Sequence, residues 1–86
     1  MSYRIDLYRE AEKTLDGLDR TTARRIEAKI EELAQAPFDP RLSKQMETAK
    51  DRRYARVGDW RIIYRVNEAE RSLDIMAIRP RSRAYR

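Results

Sequence analysis

The stretch YARVGDWRIIYRV, residues 54–66, restricts the fold more than any other feature of the chain. Two runs rich in β-branched and aromatic residues flank Gly58-Asp59, and so short a loop fixes the register of the strands it joins. Glycine at the first central position predicts a type II′ turn. In that register Val57 faces Trp60, Arg56 faces Arg61, Ala55 faces Ile62 and Tyr54 faces Ile63. Like charges directly opposite each other destabilise an antiparallel pair. Replacing either arginine by alanine is therefore expected to leave stability unchanged or to raise it slightly, and keeping both suggests that they are used.

The rest of the chain builds around this hairpin. YRIDLY (3–8) alternates, with Tyr3, Ile5 and Leu7 on one face, and predicts a strand. REAEKTLDGL (9–18) repeats apolar residues at Ala11, Leu15 and Leu18 and predicts a short amphipathic helix. A longer helix follows, with Asp19, Thr21 and Thr22 as candidate caps and Ile26, Ile30 and Leu33 as its buried stripe. Pro37 stops it. Residues 41–51 are polar and are expected to form a loop, with Leu42 and Met46 as anchors. Strands are predicted over about 53–57, 60–67 and 72–79, the last two joined by NEAERS (67–72). The order is β-α-α-β-β-β in an α+β fold, an antiparallel sheet with a two-helix hairpin packed on one face. Trp60, Ile62, Tyr64 and Val66 then lie under the helices. Tyr54, Arg56, Arg61, Ile63 and Arg65 occupy the uncovered face.

Eighty-six residues correspond to a single domain, 1–86. A charged fraction of 41% would permit disorder, but the regular apolar spacing argues against it. No apolar run approaches the ~20 residues of a membrane span and no signal peptide opens the chain, so the expected location is cytoplasmic. The absence of cysteine agrees with a reducing compartment. The net charge of +5 is unevenly distributed. Residues 1–49 carry nine basic and ten acidic side chains, and residues 50–86 carry eleven basic and five acidic ones. The basic half contains the hairpin, which suggests a polyanionic partner, with nucleic acid favoured.

A phosphodiester suits the uncovered face. Arg56, Arg61 and Arg81 provide guanidinium groups for bidentate phosphate contacts. Tyr54 and Tyr85 provide rings on which unpaired bases stack. Arg53, Arg79 and Arg83 join Tyr54 as expected RNA contacts, although Arg79 equally suits a strand-end charge. Arg65 and Arg71 read as solvated charges, and Trp60 and Tyr64 as core. Other chemistries lack their parts. The chain has no histidine and no cysteine, which removes the usual general base and zinc ligands. It has two glycines and no phosphate-binding glycine loop. Its helix glutamates, Glu10 among them, read as surface charges. No cofactor and no metal are expected.

These residues resemble the RelE/ParE superfamily of bacterial toxins, and within it the RelE-like branch. The similarity rests on the alternating first strand, the helix with ARRIEAKIEELAQAP, the RVGDWRIIYRV hairpin and a terminal Arg-x-x-x-Tyr. RVGDWRIIY is the most specific part, with Trp60 where tyrosine is common in the family. The resemblance implies a RelE-like fold and a metal-independent endoribonuclease that cleaves messenger RNA in the ribosomal A site. It also implies a cognate antitoxin protein that neutralises the toxin. By position, Arg56, Arg61, Arg81 and Tyr85 are the implied catalytic residues. Pro80 stands where many relatives have histidine, which excludes imidazole chemistry at that position. Two alternatives stay open: a ParE-like inhibitor of DNA gyrase, and a non-catalytic module that binds RNA or antitoxin.

Overall fold

The computed structural model describes residues 2–81. Strand β1 (Arg4–Leu7) leads into helix α1 (Arg9–Gly17) and helix α2 (Arg20–Gln35). A two-residue strand β2 (Lys44–Gln45) follows, then β3 (Arg53–Val57), β4 (Trp60–Asn67) and β5 (Ser72–Pro80). The five strands form one sheet in the order β1-β5-β4-β3-β2. The β2–β3, β3–β4 and β4–β5 pairs are antiparallel, whereas β1 lies parallel to β5, so the sheet is mixed at that edge. The chain returns from β1 through both helices, the long 36–52 connection and the β3–β4 hairpin. It can therefore bring β5 in alongside β1 in the same direction.

Local chemistry accounts for the boundaries. Asp19 is the N-cap of α2, its carboxylate accepting the Thr22 N–H at 3.0 Å. Gly58 has φ +58, and the only non-glycine with positive φ among the described residues is Arg71, at 52. Asp59 thus keeps the negative φ that a type II′ turn requires. At the second hairpin the Asn67 side chain accepts the Glu70 N–H at 3.1 Å, and Arg71 closes the turn.

Both helices cover one face. Ala11 and Leu15 of α1 and Ile26, Ile30, Leu33 and Ala34 of α2 pack on Ala55, Val57, Ile62, Tyr64, Leu73, Ile75 and Ile78. Trp60 and Val66 lie at the margin of this core, on the side expected for them. The apolar positions of β5 change parity between Ile75 and Ile78. A bulge reconciles them with one core: Ile63 pairs with Ala77 and Tyr64 with Ile75, leaving Met76 unmatched.

The opposite face is less open than expected. Met46 crosses onto it and packs with Ile63, Ala77 and Tyr54. The segment read as a polar loop is thus a short edge strand followed by an apolar anchor. Leu42 meanwhile packs on the helix-side core. No helix among the described residues is long and apolar enough to cross a membrane.

Candidate nucleic-acid interface

The hairpin register is the one expected: Arg56 opposes Arg61, and Arg61 in turn opposes Arg79 on β5. Three arginines therefore form a row across three strands on the helix-free face. Directly opposed residues stand about 5 Å apart, close enough for one or two consecutive phosphates to bridge them.

The three members differ in setting. Arg56 is exposed. Arg61 is only 4% exposed, and its guanidinium lies 4.9 Å from the centre of the Tyr54 ring. Tyr54 thus covers Ile63 and stacks on Arg61 at once. Arg79 is held bidentately by Glu10 of α1, through Nε at 2.8 Å and Nη2 at 3.0 Å. This contact lowers the Glu10 carboxyl below its ordinary pKa and raises that of Arg79, with partial burial opposing both shifts. Arg81 is exposed, and its backbone N–H donates to the Asp59 carbonyl at 2.7 Å. That bond ties the end of β5 to the hairpin turn and keeps Arg81 near the row. Arg83 and Tyr85 lie outside the described residues.

Arg53 is not brought together with this group. It opposes Tyr64 and therefore lies on the helix side of the sheet. Its Nε donates to Ser43 Oγ at 3.0 Å, its Nη2 donates to the Ser43 carbonyl at 3.2 Å, and it sits 5.7 Å from the Phe38 ring centre. Arg65 is also not a bare solvated charge. It pairs with buried Asp74 at 3.3 Å, in a group that includes the Tyr8 and Ser72 hydroxyls. Arg71 is exposed and lies over Tyr3, 4.1 Å from the ring centre.

Two depressions border the row. One, of about 270 Å³, lies at the edge of β3 and is lined by Lys29, Arg41, Lys44, Arg56 and Arg61 with Tyr54. No carboxylate is among its described lining residues, while two of its cations have carboxylate partners beside the cleft, Arg41 with Asp39 at 2.9 Å and Lys29 with Glu32 at 3.9 Å. The other, of about 660 Å³, has an apolar floor of Met46, Ile63, Met76 and Ala77 and a rim that includes Arg9, Arg52, Arg79 and Glu10. A cationic cleft and an apolar shelf thus adjoin on this side of the molecule. Lys29, Arg41 and Lys44 were not singled out from sequence, and Glu10 was read only as a surface charge. Their positions depend on how α1, α2 and the 36–45 segment meet the sheet, and residue spacing does not encode that.

Comparison with known proteins bears on the family and the fold. A family model described as ParE toxin of type II toxin-antitoxin system, parDE, matches residues 5–85. A crystal structure of the archaeal RelE–RelB complex from Pyrococcus horikoshii OT3 contains a chain 30% identical, with TM-score 0.80, covering 98% of this chain and 100% of that one. The isolated RelE toxin of E. coli superposes with TM-score 0.82 at 16% identity, over 96% of this chain and 88% of that one. The YoeB/ParE toxin from Agrobacterium tumefaciens superposes with TM-score 0.78 at 15% identity, over 90% and 96%. Among curated proteins, none matches the chain.

Proposed function

The chain belongs to the ParE toxin family of type II toxin–antitoxin systems, within the RelE/ParE superfamily, and from that premise we propose that it is a ribosome-dependent endoribonuclease. The observation that carries this reading is the cross-strand row Arg56–Arg61–Arg79 beside a cleft lined by five cations. In the proposed reaction the RNA 2′-oxygen attacks the adjacent phosphorus and loses its proton. The bond from phosphorus to the 5′-oxygen breaks, and that oxygen takes up a proton. The products are a 2′,3′-cyclic phosphate and a 5′-hydroxyl. Arg56 and Arg81 are exposed and meet the phosphate directly. Arg61 acts from beneath the surface, where its charge is screened less than in water. Stabilisation of the crowded phosphorane by such groups is usually the largest catalytic contribution. Arginine is a poor proton shuttle, so the arginines stabilise charge and do not carry the protons. Alignment of the RNA on the ribosome supplies orientation.

The partner proposed is an antitoxin protein, since the P. horikoshii relative is a RelE–RelB complex. A second reading is the ParE-like alternative, inhibition of DNA gyrase by binding, which the description of the family model as a ParE toxin keeps open. Expression of the chain, alone and together with a candidate antitoxin, separates the two. The expected result is growth arrest with immediate loss of protein synthesis, relieved by the partner. A DNA-damage response with translation continuing would favour gyrase, and no arrest at all would remove both toxin activities.

A further inference from the structure

We propose that Glu10 occupies the seat of a third RNA phosphate and competes with RNA for Arg79, so that the arginine row is masked at one end. The inference rests on the RNA-binding reading above. Arg79 directly opposes Arg61, which places it in line with the two arginines that face the proposed phosphate path. Its guanidinium is satisfied by two parallel bonds to one carboxylate, at 2.8 and 3.0 Å. A phosphate makes the same fork-on-fork contact with arginine. The Glu10 side chain is 51% exposed and that of Arg79 37%, so the pair is open to solvent. Exposed ion pairs of this kind are weak enough for a phosphate to displace. Glu10 also lies on the rim of the larger depression with the apolar floor, where an RNA strand leaving the row would pass. While Glu10 holds Arg79, that cation is withheld from the strand. Strands that supply a phosphate at this point are selected over those that end short of it.

The test uses the full chain and a fluorescent single-stranded RNA oligonucleotide, titrated at several salt concentrations. Glu10→Ala should tighten binding several-fold at low salt. It should also steepen the plot of log K against log salt by about 0.7, the increment for one more phosphate neutralised on a single strand. Glu12→Ala, two residues along α1, makes the same change in net charge and should have little effect. In an Arg79→Gln background, Glu10→Ala should tighten binding no more than Glu12→Ala does. Thermal melting checks that each variant is folded, and Glu10→Gln, which keeps the side-chain size, should shift binding in the same direction. Equal tightening by Glu10→Ala and Glu12→Ala would overturn the proposal, because the effect would then be one of overall charge. Unchanged binding in Glu10→Ala would also overturn it. Failure of the RNA-binding reading looks different: the unmodified chain would bind RNA with no salt dependence, and Arg56→Ala would not weaken it.

Discussion

Arg56 and Arg61 share a register position and almost nothing else. Arg56 projects into solvent, so Arg56→Ala should shift stability by no more than about 0.5 kcal/mol and relieves a like-charge contact. Arg61 is buried, with its stem packed and its guanidinium on Tyr54. Arg61→Ala should therefore destabilise the domain by about 1–3 kcal/mol, contrary to the expectation that both changes would be neutral or stabilising. Denaturant unfolding of the two variants distinguishes them, and equal midpoints would show that Arg61 is not held by packing. The sequence made the face of each residue readable, because alternation about a fixed turn decides it. Coverage was not readable, because Met46 reaches that face from a segment without periodicity. Arg53 was legible in principle. The alternation that puts Tyr54 and Arg56 on one side puts Arg53 on the other. Asp74 pairs with Arg65, its direct neighbour across the strands.

Among the elements, the 36–43 connection shows how a polar segment is fixed without regular structure. The Tyr64 hydroxyl donates to the Pro37 carbonyl at 2.6 Å and is hydrogen-bonded to Ser43 Oγ at 2.6 Å, in the interior. Burial raises the pKa of this phenol, so the group remains a donor throughout the ordinary pH range. Tyr64→Phe removes the bond and leaves a buried carbonyl and hydroxyl short of a partner, at a cost of about 1–3 kcal/mol. Because Arg41, Ser43 and Lys44 line the cationic cleft, the same change should speed amide hydrogen exchange over residues 37–46 while the β4–β5 ladder stays protected. Uniform acceleration across the sheet would mean that the tether is part of the global fold. The three antiparallel strands were legible almost to the residue, since a type II′ turn and β-branched runs mark them locally. The parallel placement of β1 and the strand β2 were not, because both depend on contacts between segments far apart in the chain.

At the scale of the whole molecule, three carboxylates link stability to pH. Glu10 is lowered by its bonds to Arg79, Asp19 by the Thr22 N–H and Asp39 by its bonds to Arg41. A carboxyl lowered in the folded state contributes stability that is complete above the ordinary carboxylate range and is lost as the pH falls through and below it. The melting temperature should therefore hold level around neutrality and fall on acidification. A midpoint that rises or stays constant into acid would contradict this assignment. The charge asymmetry of the chain has a structural counterpart at the same scale: the basic half supplies all three arginines of the row. Cleavage of ribosome-bound messenger RNA by the purified chain and by Arg56→Ala measures the central claim most directly, because Arg56 is exposed and its loss leaves the fold intact. The expected result is cleavage by the unmodified chain and a rate lower by ~10²–10³ in the variant at an unchanged melting temperature. Equal rates at equal stability, or no cleavage by the unmodified chain on programmed ribosomes, would contradict it.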